Sequence, residues 1–168
     1  MAYSIRAFRD EDAQALSALA LAAIRVVGAR GYSKQQVEAW SARHGGAAMY
    51  RERAAQGHAV FVAVDDTDCP VAYALLEPDG HLDRLYNHPD HTRRGLAAAL
   101  LQAAEDHARG KGIERLYTEA SELARPAFER AGYGVTHRRD FTIEGPNGAV
   151  PIHNYAMEKR LKARTTTP

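Results

Sequence analysis

The sequence has little of several features that mark particular classes of protein. Cys69 is the only cysteine in 168 residues, which excludes an intramolecular disulfide and fits a reducing compartment. The formal net charge is only +1, whereas a general nucleic-acid binder needs clustered Lys and Arg for many phosphate contacts. No apolar run reaches about 18 residues, and the first residues lack a signal-peptide pattern. We therefore expect a cytoplasmic protein with no membrane and no nucleic-acid partner.

The length and composition predict one domain with a proper core. Hydrophobic residues make up 45% of the chain, enough for a single domain of ordinary size. We find no internal repeat and no second domain, so residues 1–168 are treated as one domain with a core of about 3–161. The tail after Leu161 is expected to be frayed.

Hydrophobic periodicity predicts a mixed order of helices and strands. In chain order these are strand 3–6, helices 11–29, 34–42 and 47–56, strands 58–64, 71–76 and 81–88, helix 95–109, strand 115–120, helix 121–131 and strands 135–144 and 150–159. Strand 115–120 follows a helical crossover, so we expect it to lie parallel to strand 81–88, with a ligand entering where the two separate.

Local signals set several boundaries of these elements. Asp10 can cap the first helix, and Ser33 with Gln36 three residues later forms a capping box for the second. Pro126 suits a first helical turn, so helix 121–131 is expected to start nearer Arg125. The segment Gly145-Pro146-Asn147-Gly148 predicts a hairpin turn.

The stretch 82–102 reads as a strand, a loop and a helix. The loop contains Arg93, Arg94 and Gly95, and a good helix former follows it. Because Gly95 has no Cβ, a ligand can lie against its backbone, and free N–H groups at the start of the helix point toward an anion. The helix dipole adds about half a positive charge there. The pattern therefore favours a phosphate, and a pyrophosphate more than a single carboxylate.

This stretch resembles the acyl-CoA motif of the GNAT N-acetyltransferase superfamily, which is Arg or Gln, two residues, Gly, one residue, then Gly or Ala. Gly95-Leu96-Ala97 supplies the second half, and the first position falls on Thr92, which departs from the motif. Residues 115–133 match a second family segment with substitutions. Tyr32-Ser33-x-x-Gln36-x-x-Ala39-Trp40 resembles a subgroup of small bacterial GNAT proteins of poorly defined substrate. The resemblance covers about residues 3–161.

The resemblance implies the GNAT fold, an α/β (α+β) architecture with a mixed, mostly antiparallel sheet, a splayed parallel pair at the cofactor site and helices on both faces. It also implies direct transfer of an acetyl group from acetyl-CoA to a primary amine of a small molecule or protein. A non-catalytic acyl-CoA binding module is the alternative, and a homodimer remains an open possibility. The expected cofactor contacts are Leu85, Tyr86, Asn87, Thr92, Arg93, Arg94, Gly95, Leu96, Ala97, Ala98, Ser121 and Phe128.

Such a reaction needs a base, because a lysine-like amine has a pKa near 10.4. Removing the proton from its ammonium form at pH 7 costs about 4 to 5 kcal/mol. His81 and Asp83 lie two apart on one strand, so we expect them to share a face with Leu85 and Asn87. Either can take the proton, and Glu119 is a reserve base. The alternatives are that Asp83 orients a neighbour, that His81 is a solvated strand end and that Glu119 forms a surface ion pair.

The resemblance further implies a backbone N–H from Tyr86 or Asn87, freed by a bulge near the proline turn, for the developing oxyanion. Many family members protonate the leaving sulfur with a tyrosine, but the matching residue here is Phe128, so Tyr133, Tyr155 or a water would have to substitute.

Other side chains left two readings open. Tyr32 and Trp40 either line an acceptor pocket or pack in the core. Arg139, next to Arg138, either reaches an acidic acceptor or the 3′-phosphate of CoA, or protects a strand edge. His88 and His91 lack a second ligand pair, so no metal is expected.

Overall fold

A computed structural model describes residues 1–162, so most of the tail expected to be frayed lies outside the described residues. The strands are β1 (Ser4–Ala7), β2 (Ala59–Val64), β3 (Pro70–Leu76), β4 (Leu82–Asn87), β5 (Arg115–Ala120), β6 (Gly134–Gly145) and β7 (Gly148–Arg160). The helices are α1 (Ala13–Val26), α2 (Lys34–Ala42), α3 (Gly46–Ala55), α4 (Leu96–Gly110) and α5 (Arg125–Arg130).

The strands form two antiparallel sheets that meet along one short parallel contact. The first sheet has the order β1-β2-β3-β4 and the second has the order β5-β7-β6. They touch at a parallel bridge between His81 and Tyr117, where the Tyr117 N–H donates to the Gly80 carbonyl over 3.1 Å. Thr118 Oγ1 donates to the Leu82 carbonyl over 2.8 Å. The predicted parallel relationship is therefore confirmed, and β4 and β5 diverge beyond this point.

Helices cover both faces of the first sheet because alternate strand residues point to opposite sides. Leu16 of α1 and Tyr50 of α3 pack with Tyr73 and Leu75 of β3. On the other face, the buried residues of α4 pack against the alternate positions of the same strands. Each fully buried Leu or Tyr contributes roughly 1.5 to 3 kcal/mol through apolar burial. These two layers fix β4 between α1 and α4.

The first helix begins later than its capping signal predicts. A 3-10 turn, Asp10–Asp12, precedes α1, and no side-chain cap comes from Asp10. Instead, the buried carboxylate of Asp12 accepts the Arg9 N–H over 2.8 Å and pairs with Arg6 Nη1 over 2.8 Å. The Asp10 cap was therefore a wrong prediction, because Asp12 has the nearby cation and the buried position.

Other local predictions are confirmed. The second helix runs over Lys34–Ala42 with the full Ser33–Gln36 capping box. The short fifth helix begins at Arg125, as Pro126 requires. Gly145 pairs with Gly148 across the hairpin turn between β6 and β7.

The stretch Asp10–Arg30 is long and apolar enough, by length and composition alone, to cross a membrane. This finding corrects the expectation that no apolar stretch reaches such a length. Half of its most apolar window is buried in the fold, where α1 packs against β3, β4, α2 and α3. Packing in the protein core therefore accounts for its apolar character.

A β-bulge in β4 changes which side chains share a face. Leu75 pairs with Arg84, but its neighbour Leu76 pairs with Leu82, so Asp83 is the extra residue. The bulge therefore lies at Asp83 rather than beside the proline turn, where it had been predicted. An extra residue shifts the alternation of the strand by one position.

As a result, the residues on either side of the bulge face opposite layers. Leu82 and Leu85, three apart, both pack in the core cluster that contains α4. His81 and Asp83 instead share a cavity lining with Tyr86 on the side of α1 and α2. The expectation that they share a face with Leu85 and Asn87 was therefore wrong, because the strand is not continuous at Asp83.

Candidate active site

Two cavities meet where β4 and β5 diverge. The α4 groove, about 830 Å³, lies between the start of α4, β4 and residues 121–131. The α2 pocket, about 370 Å³, lies on the opposite side of β4 and is closed by α2, β6 and β7. Trp40, Tyr86 and Ser121 line both cavities. The two cavities are therefore adjacent at these three residues.

The turn before α4 presents an open set of backbone donors. Arg93 (φ 58°) and Gly95 (φ 76°) are both left-handed, and a Cβ at Gly95 would stand in open space. The first helical hydrogen bond runs from the Ala99 N–H to the Gly95 carbonyl over 3.1 Å, and no side chain caps the helix. The N–H groups of residues 96–98 are therefore left for an anion.

Most of the sequence-predicted cofactor residues lie around this groove. The lining includes Leu85, Tyr86, Asn87, Thr92, Arg93, Gly95, Leu96, Ala97, Ala98 and Ser121. Arg94 is exposed outside the lining. Phe128 is only 2% exposed and belongs to the core, where its ring lies 5.1 Å from that of Tyr133. The structure thus does not bring Arg94 or Phe128 to the groove.

The pairing of β4 with β3 decides which backbone N–H groups face the divergent side. The His88 N–H donates to the Val71 carbonyl over 2.8 Å, just beyond the Asn87 pair. In an antiparallel ladder this makes Asn87 and Leu85 the positions whose N–H groups point away from β3. The Tyr86 N–H is directed at β3 instead. Of the two residues predicted to offer an N–H, only Asn87 does so, and Leu85 is a second donor.

A histidine between two carboxylates lies in the α2 pocket beside the β4–β5 contact. His81 Nδ1 lies 2.7 Å from Glu77 Oε1, and its Nε2 lies 2.7 Å from Glu119 Oε2. Its ring stacks on Tyr117 with centroids 4.8 Å apart. Burial lowers the pKa of His81, but the hydrogen bonds to Glu119 and Glu77 outweigh it and raise the pKa to about 9. His81 is therefore an imidazolium near neutral pH rather than a solvated strand end.

The two other predicted base candidates are already engaged. The hydrogen bond from His81 lowers the pKa of Glu119, which keeps that carboxylate ionised. Asp83 Oδ2 lies 3.2 Å from Arg53 Nη2 and 3.7 Å from Arg84 Nε. The same guanidinium of Arg53 lies 3.2 Å from Glu77 Oε1. All three predicted residues, His81, Asp83 and Glu119, nevertheless line one cavity.

The α2 pocket also carries positive charge, of which only Arg139 was singled out from the sequence. Arg43, Arg84 and Arg139 come from α2, β4 and β6 respectively. Arg84 Nη1 lies 3.0 Å from His44 Nδ1. Burial, and then the charge of Arg84, lower the pKa of His44 to about 4. His44 is therefore a neutral acceptor that leaves the charge of Arg84 intact.

The aromatic pair predicted to line an acceptor pocket does line it and also packs. Tyr32 is 7% exposed, and its ring lies 5.6 Å from that of Trp40. The Tyr32 hydroxyl donates to the His153 carbonyl over 2.9 Å and accepts the Glu122 N–H over 2.8 Å. Its hydroxyl is thus occupied, and it offers a ligand the face of its ring. Both readings of this pair therefore hold.

Neither Tyr133 nor Tyr155, the two tyrosines predicted to replace the acid missing at Phe128, lines either cavity. The buried Tyr133 hydroxyl has no hydrogen-bond partner within residues 1–162. Ser121 is the one serine that both linings share, and its Oγ accepts the Ala124 N–H over 3.1 Å.

Comparisons with known proteins agree with this architecture. Residues 29–147 match the family described as acetyltransferase (GNAT) domain. The N-acetyltransferase YafP of Escherichia coli (strain K12) is 32% identical over 141 residues, which are 84% of this chain and 87% of YafP.

Two solved structures extend the comparison to the fold. The GCN5-related N-acetyltransferase structure from Rhodopseudomonas palustris superposes with a TM-score of 0.83 at 31% identity, covering 96% of this chain and 97% of that one. The PaiA N-acetyltransferase from Thermoplasma acidophilum, in complex with coenzyme A, gives 0.75 at 20% identity, covering 96% and 100%. The expected fold class is thereby confirmed.

Proposed function

Because this chain belongs to the GNAT acetyltransferase family, we propose that it moves an acetyl group from acetyl-CoA in the α4 groove directly to a primary amine in the α2 pocket. The protein is an acetyl-CoA-dependent N-acetyltransferase. One observation supports the division of roles most strongly: Trp40, Tyr86 and Ser121 line both cavities, which are therefore adjacent at these residues. A donor and an acceptor bound on opposite faces of β4 then meet at that junction.

The backbone at the start of α4 would hold the diphosphate of the cofactor. The N–H groups of Leu96, Ala97 and Ala98 and the side chain of Arg93 face the groove, and donors so arranged favour a dianionic group. Acetyl-CoA supplies the acetyl group as an activated thioester. The N–H groups of Leu85 and Asn87 are directed to the divergent side, where they stabilise negative charge on the carbonyl oxygen.

The proton of the acceptor passes to the cluster around His81. Glu119 lies on β5, two residues before Ser121, and lines the α2 pocket, whereas Glu122, next to Ser121, does not line it. When His81 is in its neutral form, Glu119 takes the ammonium proton, directly or through a water, and passes it to His81 Nε2. Neutral His81, with a pKa of about 9, approaches the proton affinity of an amine, which suits a general base.

Asp83 has a positioning role in this scheme. Its carboxylate lies between Arg53 and Arg84. It therefore positions these two guanidinium groups and does not itself take the proton of the amine. The departing thiol of CoA has an ordinary pKa near 8.5, so its thiolate can leave without being protonated. The absence of an acidic tyrosine at position 128 therefore costs about ten- to hundredfold in rate rather than all activity.

We also propose a cytoplasmic location. The support is the single, exposed Cys69, which a reducing compartment keeps as a thiol.

A CoA-release assay with a panel of primary amines tests the proposed function. We expect acetyl-CoA to bind and free CoA to appear with at least one amine, together with an acetylated product of the correct mass. Tight binding of acetyl-CoA with no release for any amine would instead indicate a non-catalytic binding module.

A further inference from the structure

Arg139 of the α2 pocket differs in its partners from Arg115 on β5 and from Arg138 beside it on β6. Arg115 pairs with Glu158 over 2.6 Å, and Arg138 pairs with Asp140 over 3.0 Å. By contrast, within residues 1–162 no carboxylate lies within 4.0 Å of Arg139, whose Nη1 donates to the amide oxygen of Asn154 over 3.1 Å. A neutral partner orients the guanidinium but leaves its charge uncompensated.

Two more guanidinium groups face the same cavity. Arg43, at the end of α2, has no carboxylate partner in the described part of the chain. Arg84 touches a carboxylate only at 3.7 Å, through Asp83. Its Nη1 is directed to the neutral ring of His44, and its Nε is buried without a hydrogen-bond partner among the described residues. The charge of Arg84 is therefore only weakly compensated within the described residues.

The cavity therefore carries charge of both signs. Its lining contains the Glu119 carboxylate with His81 beside the β4–β5 contact, and arginines from β4, β6 and the end of α2. Besides the hydrogen bond from His81, the charge of Arg139 reaches Glu119 and helps to lower the pKa of that carboxyl. Ile24, Ile143 and Ile152 contribute apolar surface to the same cavity. A pocket of about 370 Å³ matches a small molecule rather than a folded partner.

The 3′-phosphate of CoA does not account for these charges. Arg139 lies outside the lining of the α4 groove, and the groove has basic residues of its own in Arg30, Arg93, Arg130 and Lys159. Arg139 therefore faces a ligand of the α2 pocket rather than the cofactor.

We infer that the acceptor is a small amine that also carries a carboxylate and an apolar group, the chemistry of a free amino acid. Its ammonium group lies against Glu119, and its carboxylate lies against Arg84 and Arg139. This inference rests on the proposed function, because it names the acceptor of that reaction. It narrows the acceptors to amphoteric small molecules and excludes polyamines, which have no anionic group.

Matched pairs of amines test the inference. We would compare L-leucine with 3-methylbutylamine, L-methionine with 3-(methylthio)propylamine and L-phenylalanine with 2-phenylethylamine. Members of a pair differ only in the carboxylate, and free CoA release gives kcat/KM for each. We expect the carboxylate member to be favoured at least about tenfold in one or more pairs, since a charged hydrogen bond contributes that much.

Two variants assign the preference to the pocket. Arg139→Gln should lower kcat/KM for the carboxylate member by about ten- to hundredfold and change the decarboxylated member less than about threefold. Arg138→Gln is the matched control, because Arg138 is the next residue and pairs with Asp140 outside the pocket. Equal effects of the two substitutions would overturn the inference.

Failure of the inference is distinguishable from failure of the proposed function. If decarboxylated amines release CoA as well as or better than the amino acids, the protein is an acetyltransferase but the inference is wrong. If neither series releases CoA, both series are titrated calorimetrically into the protein saturated with CoA to test whether the carboxylate member of a pair binds more tightly. Preferential binding of a carboxylate member, lost in Arg139→Gln, supports the inference, and absent or equal binding overturns it.

Discussion

His81 Nε2 lies 2.7 Å from Glu119 Oε2, so a side chain beside β4 is linked to one on β5 at the point from which the two strands diverge. The pair joins the two sheets and also faces the α2 pocket. Its protonation state therefore matters both for the shape of the site and for proton transfer.

Replacing Glu119 should change how His81 titrates. The neighbours of the imidazole are Glu77, Asp83, Tyr117 and Glu119, and the carboxylates among them favour its charged form. Glu119→Gln removes one such charge, so we expect the pKa of His81 to fall from about 9 by at least about one unit. NMR titration of the imidazole signals between pH 5 and 10 measures this shift, with His81→Gln assigning the resonance.

Because Glu119→Gln is expected to lower the pKa of His81, it should also move the rise of kcat/KM with pH to lower pH. In the wild type, kcat/KM should rise about tenfold per pH unit until the pKa of His81 is reached, because the neutral imidazole is the base. Glu129→Gln, which affects only an exposed pair with Arg125, is the control. An unchanged pKa of His81 in Glu119→Gln would contradict the assigned link.

Gly95→Asp should abolish measurable acetyl-CoA binding. The substituted side chain would enter the open space beside the N–H groups of α4 and place a negative charge against the diphosphate. Gly112→Asp is a matched control, since Gly112 is also left-handed and open but lies beyond the opposite end of α4. Calorimetry should show acetyl-CoA binding in the control only. Retained binding in Gly95→Asp would disprove that the diphosphate lies against the N–H groups at the start of α4.

Asp83→Asn should lower kcat more than it weakens acetyl-CoA binding. Asp83 lies in the α2 pocket and holds Arg53 and Arg84, whereas the α4 groove does not include it. We expect roughly a tenfold loss in kcat, the size of one charge-assisted contact, with the acetyl-CoA Kd unchanged. Asp66→Asn, on an exposed turn, is the comparison. Equal turnover of Asp83→Asn and the wild type from pH 6 to 9 would remove Asp83 from the mechanism.

Gly80→Ala should destabilise the junction of the two sheets. At φ 100° a Cβ would come 2.2 Å from the Arg115 carbonyl oxygen, and neither backbone can move without breaking the contact between Gly80 and Tyr117. We expect a loss of about 2 to 4 kcal/mol in urea unfolding. Gly57→Ala, at φ 89° with open space, should cost only about 1 kcal/mol. Similar losses in both variants would show that the steric contact is unimportant.

Asp12 should contribute to stability above acidic pH. Burial raises its pKa, but hydrogen bonds from Arg6 and the Arg9 N–H outweigh this and lower it. A lowered pKa means that the stabilisation is present above the unfolded value, near 3.9, and is lost as pH falls through the folded value. Asp12→Asn should therefore cost about 2 kcal/mol at pH 7 and less at pH 3. Equal losses at both pH values in denaturant titrations would refute the assignment.

Features encoded by neighbouring residues could be predicted from the sequence. The capping box of Ser33 and Gln36, the hairpin turn at 145–148 and the open backbone at Gly95 each depend on a few adjacent residues. The parallel approach of β5 to β4 followed from the helical crossover. These signals were enough to predict the fold and the open N–H groups at the start of α4.

Features that depend on distant partners could not be predicted. The bulge at Asp83 arises from the register between β3 and β4, and nothing in the local sequence marks it. Arg43, Arg84 and Arg139 lie far apart in the chain and come together only in the α2 pocket. Likewise, the pKa of His81 depends on Glu119, which is 38 residues away.

The extra residue at Asp83 helps one short strand to face two cavities. Leu85 and Asn87 line only the α4 groove, Asp83 and Arg84 line only the α2 pocket, and Tyr86 lines both. Under the proposed function, substitutions at the residues that line one cavity can change one specificity with little effect on the other. An ancestral chain could diversify its choice of amine by drift on one surface while its dependence on a common metabolic currency stayed constant.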